Sequence, residues 1–150
     1  MERERIVVGV DGSEGSQEAL RWTLREAGRR SADVEIVCCW APSSFAMSSG
    51  YAHAFITDEE IATAGHVHLD KTMAACGVEI EACKAAGVGV STTVLDGEAV
   101  SSLISESKGA ALLVVGRRGH GGLSRLVLGS VSRQVATHAD CPVVVVPETG

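Results

Sequence analysis

Gly116, Gly119, Gly129 and Ser130 are the residues whose types and spacing could do chemistry, within the stretch GRRGHGGLSRLVLGS. Gly116 and Gly119 flank two arginines at the end of ALLVVG; nine residues intervene, and then Gly129-Ser130 open a segment that reads as a helix. Glycine lets the backbone adopt positive φ and approach another group closely. A helix start adds N–H groups without intrahelical partners and the positive end of a dipole. Together they describe a cradle for phosphate. Arg117, Arg118 and Arg125 crowd the same loop and could serve an anion, whereas Arg3, Arg5, Arg21, Arg25, Arg29 and Arg30 are spread as expected of a solvated surface. A second polar cluster, Gly9-Val10-Asp11-Gly12-Ser13, follows the first apolar run.

The elements that must position these residues alternate along the chain. Arg5 to Val10 (RIVVGV) is an unbroken apolar run, and Ser13 to Arg30 carries Ala19, Leu20, Leu24 and Ala27 at helical spacing. Val34 to Trp40 reads as the second strand. Residues 41–56, rich in Ser, Ala and Gly, read as a long loop. Thr57 to Glu60 has the pattern of a capping box, and an apolar face then continues to Gly87, which predicts one long helix. Val88 to Leu95, Ala110 to Val115 and Pro142 to Val146 complete five strands, with helices over Gly97 to Ser107 and Ser130 to His138. Continuous Val/Ile/Leu runs joined by helices predict an α/β fold: one domain with an open five-stranded parallel sheet covered on both faces. Ligands of such sheets bind at the carboxyl ends of the strands, beside the point where strand order reverses. The first and fourth strands carry the unusual residues at those ends, so the expected order is 3-2-1-4-5.

Composition narrows the class. A chain of 150 residues with 45% hydrophobic content can bury a real core as one domain. No run approaches the roughly 18 apolar residues of a spanning helix, and MERERIVVGV lacks the apolar core of a signal peptide. The expectation is a cytoplasmic protein with no membrane partner. A net charge of −6 argues against a nucleic-acid partner. The five cysteines read as reduced, small buried hydrophobes; Cys38 and Cys39, adjacent on a strand, point to opposite faces. His66 and His68 lack metal-ligand spacing and read as surface residues, and His120 as facing water.

VVGVDGS and VVGRRGHGGLSRLVLGSVSRQVATHADCPVVVV resemble the universal stress protein family, specifically its ATP-binding branch, whose signature is G-x2-G-x9-G-[ST] after the fourth strand. The resemblance covers essentially the whole chain and implies a Rossmann-like nucleotide-binding fold. It implies that Asp11, with Gly9 and Val10 before it, takes the ribose hydroxyls and polar contacts near the base. Trp40 and Val115 would line the adenine pocket, and Gly116 and Gly119 would pass under the ribose and phosphates, with Arg117 beside them. Gly129, Ser130 and Val131 would present N–H groups, and Ser130 its hydroxyl, to the phosphates. Trp40 stands where similar proteins carry a small aliphatic residue, so it either stacks on the base or fills the pocket. Asp11 has a plainer reading as a cap of the first helix.

The function the resemblance implies is ATP binding as a switch in stress response, with Mg²⁺ or Mn²⁺ carried by the phosphates. The alternatives are a slow ATPase and an interaction module that dimerises without nucleotide. Fast hydrolysis needs a base and a positioned water or nucleophile; here the acids near the cradle are Asp11 and, further off, Asp96 and Glu98. Two rival classes match the residues less well. A receiver domain needs an acidic pair, an Asp after the third strand and a Lys after the fifth; a flavodoxin-like flavin binder needs its phosphate loop after the first. Partnership follows from the last strand: an apolar edge flanked by prolines invites pairing, and a homodimer through Val143 to Val146 is also what the resemblance implies.

Overall fold

The computed structural model describes residues 2–40, 57–117 and 128–148. In chain order the elements are β1 (Arg5–Val10), α1 (Glu14–Arg30), β2 (Asp33–Trp40), α2 (Asp58–Ala75), α3 (Gly77–Ala85), β3 (Val90–Asp96), α4 (Ala99–Glu106), β4 (Leu112–Gly116), α5 (Ser130–His138) and β5 (Val143–Val146). The strands form one parallel sheet in the order β3-β2-β1-β4-β5, as their apolar runs predict. That order separates the fold from the receiver and flavodoxin layouts, in which β3 lies beside β1. Here Asp96, paired in register with Trp40, ends an edge strand, with β2 between it and the end of β1 that carries Asp11. Among the described residues the phosphoacceptor pocket of a receiver has no counterpart.

Alternation along the strands sends side chains to two cores. On one face Ile6, Val8 and Val10 of β1, with Val34, Ile36 and Cys38 of β2, pack against Leu20 and Leu24 of α1, Leu69 of α2 and Ile80 of α3. On the other, Val7, Val37, Leu113 and Val115 meet Val100 and Leu103 of α4 and Val135 of α5. Fully burying a Leu such as Leu20 or Leu24 is worth about 1.5–3 kcal/mol, so the sheet is held chiefly by these two layers. Cys38 belongs to the first core and Cys39 packs on the second, as their adjacency requires. All five cysteines are free thiols, and burial pushes Cys38 and Cys39 up to about 12 and about 11. Among the described residues, no helix is long and apolar enough to cross a membrane.

Two expectations need correction. The single helix expected up to Gly87 is two, α2 and α3, meeting at Cys76, whose φ of −108° and ψ of 15° leave the helical range. The apolar stripe runs through that joint because Leu69, Cys76 and Ile80 all face the first core, so periodicity alone does not register the break. Gly77 follows at once, the weak helix former at which a second helix starts. Arg5 is also no solvated surface residue. Its guanidinium donates to Glu35 Oε2 (2.7 Å) and to the carbonyls of Glu106 and Lys108 (both 2.9 Å), tying β1 to β2 and to the turn after α4.

This ionic knot lies at the amino ends of the strands. Within it Glu106 has its pKa raised, first by a hydrogen bond with Glu35 and then by burial and by the charge of Glu35, with Arg5 opposing. A carboxyl raised on folding contributes stability that is present at low pH and lost as pH rises through its folded-state pKa. Glu106→Gln keeps a donor toward Glu35 without the second negative charge. It is therefore expected to raise the urea midpoint at neutral pH, with the gain over the parent chain vanishing below the ordinary glutamate range. A midpoint below that of the parent at pH 7 would refute this assignment.

Candidate functional site

At the carboxyl ends of the strands, β1 feeds α1 through a turn built from side chains. Asp11 Oδ1 accepts from the Ser13 amide (2.9 Å) and from its hydroxyl, while Ser16 Oγ accepts from the Asp11 amide at 3.2 Å. Ser13, not Asp11, is the N-cap: its side chain accepts from the Ser16 amide. Gly12 completes the turn at φ +85°, in the left-handed region that glycine enters without strain. Asp11 is half-buried, with one carboxylate oxygen committed to the turn.

The end of β4 lies against this turn. A Cβ on Gly116 would come within 2.7 Å of the Gly15 carbonyl oxygen in the first turn of α1. The glycine is required here by helix–strand packing, whatever else approaches it. Gly9 likewise makes room for Leu103, whose Cδ1 a Cβ would meet at 2.9 Å. Val10 and Val115 bury their side chains in the two cores, so their reach toward the crevice is through the backbone.

Beyond Gly116 the backbone of Arg117 is held on both sides. Its N–H donates to the Val146 carbonyl (2.9 Å), extending the β4–β5 ladder, and its carbonyl accepts from the Gly129 amide (2.8 Å). The two ends of the glycine-rich stretch are thereby clasped, and the Gly129 N–H is used in the clasp instead of facing a ligand. Ser132, buried at the start of α5, strengthens it: its hydroxyl lies 2.6 Å from the Gly116 carbonyl oxygen and 3.0 Å from that of Arg117. Sequence reading missed Ser132; the signal was a serine two positions beyond Ser130 on a helix otherwise apolar on its inner face. Arg118, Gly119, His120 and Arg125, and the loop 41–56, lie outside the described residues.

Helix α5 starts without a capping side chain. The amides of Ser130, Val131 and Ser132 fall in the turn that has no intrahelical acceptors, whereas α1 and α2 are capped by Ser13 and Thr57. At α4 the Glu98 carboxylate accepts from the Val100 and Ser101 amides, which hold its pKa below the usual range. Ser130 is exposed, its Oγ accepting from Gln134 Nε2 at 2.9 Å, and Val131 is 36% exposed. Near this helix start Arg117 buries its Nε–H without an acceptor among the described residues. A buried donor left unpaired costs about 1–3 kcal/mol, which an anion at this point would relieve.

Trp40, at the end of β2, is 5% exposed, and its indole Nε1–H is the other buried donor without an acceptor among the described residues. It packs on Gly65 of α2 and stacks with His68, ring centroids 4.1 Å apart and planes at 30°. His68 is accordingly not a plain surface residue. It is half-buried over Trp40, and a Cβ on Gly12 would come within 2.7 Å of its Nδ1; His66 is exposed.

A sequence model of the universal stress protein family matches residues 2–147. The chain is 35% identical over 143 residues to a universal stress protein of Mycolicibacterium smegmatis, covering 94% of this chain and 47% of that protein. It is 30% identical over 145 residues to one from Methanocaldococcus jannaschii, covering 95% and 81%. The chain thus spans about half the length of the mycobacterial relatives it matches. Among solved structures, a universal stress protein in complex with cAMP superposes with a TM-score of 0.65 at 23% identity, covering 99% of this chain and 100% of the other. The universal stress protein of Archaeoglobus fulgidus in complex with dAMP gives 0.63 at 23%, covering 97% and 98%. A family protein of Arabidopsis thaliana with AMP bound gives 0.62 at 21%, covering 98% and 93%.

Because Gly116 fits only without a side chain, Gly116→Ala is expected to destabilise the ligand-free protein by roughly 1–3 kcal/mol, the usual cost of overpacking. Urea unfolding checks this, and an unchanged midpoint would show that the Gly116–Gly15 contact yields easily. A loss of binding in that variant is therefore no test of ligand contact.

Proposed function

Starting from a chain that belongs to the universal stress protein family, we propose that its cradle binds an adenine nucleotide, ATP foremost, and that occupancy works as a switch instead of a step in rapid turnover. The observation that carries this reading is the start of α5: an uncapped helix N-terminus, clasped to the end of β4, beside an arginine whose buried Nε–H has no acceptor among the described residues. These donors suit a phosphate chain, which supplies acceptor oxygens and negative charge to the positive end of the helix dipole. They lie where strand order reverses between β1 and β4, the place at which such sheets take ligands. The solved relatives described with cAMP, dAMP and AMP support the adenine class.

In this assignment the amides of Ser130 and Val131, the Ser130 hydroxyl and Arg117 hold the phosphates, and Asp11 meets the ribose. Gly116 keeps β4 and α1 close enough to shape the crevice, and Gly119, three positions further along the sequence, belongs to the same assignment. Magnesium or manganese would arrive on the phosphates. Switching without fast turnover is supported by how the nearby acids are engaged: Glu98 caps α4, and one oxygen of Asp11 holds the β1–α1 turn. Neither arrangement sets a carboxylate aside as a base for water.

Ser130→Pro tests the site with little disturbance of the fold. Gly129 already has φ −61° and ψ 159°, a conformation suited to the residue before proline, and Ser130 is the first helical position, where proline is well tolerated. The substitution removes one amide and one hydroxyl donor. Calorimetric titration is expected to show ATP affinity reduced at least about ten-fold, the worth of one or two hydrogen bonds to a charged group. Full affinity in a folded Ser130→Pro protein would eliminate this helix start as the phosphate site.

We further propose a homodimer joined along β5. The carbonyls of Pro142 and Val146 accept from Leu113 of β4 and from Arg117 just after it, so by alternation the backbone groups of Val143 and Val145 point away from the sheet. Val145→Pro removes an outward N–H while leaving the β4 ladder intact. Sedimentation should then show a monomer with unaltered circular dichroism. A dimer that persists would place the partner elsewhere.

A further inference from the structure

We propose that Arg117 is the specificity-determining residue of the phosphate end: its guanidinium makes that end sensitive to ligand charge, so that a triphosphate tail is selected over the single phosphate of AMP or cAMP. The proposal rests on the adenine-nucleotide reading above and adds to it which phosphorylation state is preferred and what sets the preference.

Three observations converge on this side chain. First, its origin is fixed. The Arg117 N–H continues the β4–β5 ladder to the Val146 carbonyl (2.9 Å), and its own carbonyl accepts from the Gly129 amide (2.8 Å) and lies 3.0 Å from the Ser132 hydroxyl. The stem therefore starts against the first turn of α5, and by the alternation that the ladder continues it leaves on the face of Leu113 and Val115, which α5 also covers. Second, Arg117 is half-buried without a carboxylate partner among the described residues, whereas Arg3, Arg5, Arg21 and Arg30 each hold one. Its buried Nε–H has no acceptor among them either. Third, α5 starts without a capping side chain, while the start of α4, on the same face of the sheet, is closed by the Glu98 carboxylate.

The packing thus sets a guanidinium beside the positive end of a helix dipole and, among the described residues, gives neither an anion of the protein's own. Two consequences differ in what they discriminate. Pairing the Nε–H helps any ligand whose phosphate reaches it, so it raises affinity for mono- and triphosphates alike and cancels from their ratio. The Coulomb attraction does not cancel, because it scales with the charge brought in and each further phosphate brings more. Removing one fixed positive charge therefore costs ATP more than AMP, and AMP more than cAMP with its singly charged diester. Elsewhere the chain works against polyanions: its net charge is −6, so a preference for the most charged ligand has to be made locally.

Calorimetric titration with ATP, AMP and cAMP at low salt compares the parent with Arg117→Met and Arg117→Lys. The parent is expected to bind ATP at least about thirty-fold more tightly than AMP, the scale of a hydrogen bond to a charged group. Arg117→Met keeps the stem and removes the charge; it should narrow that ratio to the roughly five-fold or less that a helix dipole supplies. Arg117→Lys keeps the charge and loses the Nε–H, so it should weaken all three ligands together while largely preserving the ratio. Added salt should narrow the parent ratio more than that of Arg117→Met. Without ligand, Arg117→Met should also raise the urea midpoint, because it removes a buried donor and a charge at the wrong end of a dipole. An ATP-to-AMP ratio unchanged in Arg117→Met overturns the proposal, and so does a midpoint below the parent's, which would make Arg117 a structural residue. Either result leaves the nucleotide reading standing. A parent chain that binds none of the three ligands removes that reading and this proposal together.

Discussion

The crevice depends on one contact between two glycines. The end of β4 reaches the first turn of α1 at Gly116 and Gly15, and the space a Cβ would need on Gly116 is already filled by the Gly15 carbonyl. Because neither residue has a side chain, a strand end and a helix start meet backbone to backbone. Whatever follows Gly116 is thereby fixed relative to the Asp11–Ser16 turn. The Arg117 N–H continues the ladder to Val146, its carbonyl receives the Gly129 amide, and the Ser132 hydroxyl reaches the carbonyl oxygens of both Gly116 and Arg117. The exit from β4 and the entry to α5 are consequently tied at three points before any ligand is considered. Donors fixed in this way lose little conformational freedom on binding, which is how a site made of amides gains affinity.

The two ends of the sheet use polarity differently. At the amino ends, polar groups satisfy one another inside the protein: Arg5 pairs with Glu35, and a hydrogen bond with Glu35 raises the pKa of Glu106. At the carboxyl ends two buried donors, Trp40 Nε1 and Arg117 Nε, find no acceptor among the described residues, and α5 starts without a capping side chain. An internal ion pair is complete without a ligand. Unpaired buried donors are not, and their cost is sustained by the two apolar cores that hold the sheet.

Much of this was legible in the sequence, and the exceptions share a cause. Unbroken runs such as Ile6–Val10 and Leu112–Val115 can be buried only in a parallel sheet, and the unusual residues after β1 and β4 led to the strand order. What escaped depends on contacts between elements distant in the chain. The glycine signature marks Gly116, but only the packing of β4 on α1 shows that helix contact alone demands a glycine there. Ser132 differs from any helical serine in the carbonyls it faces across the clasp. His68 sits in a helix with no metal spacing and becomes informative only when α2 lays it on Trp40. The joint at Cys76 escaped for the opposite reason: the residues around it satisfy helical periodicity while the backbone departs from it.

On the proposed reading, these differences divide the labour of recognition. The phosphate end is made of backbone groups locked by the Gly116–Gly15 contact and the Ser132 clasp, so it can distinguish ligands by charge and number of acceptors but has little means of adapting to shape. At the end of β2 the crevice is bordered instead by two side chains, Trp40 and His68, stacked 4.1 Å apart. The two ends are mechanically adjacent: His68 rests on Gly12, whose neighbour Asp11 holds Ser13 and with it the start of α1. The stack on Trp40 therefore borders the same β1–α1 turn that the Gly116–Gly15 contact braces.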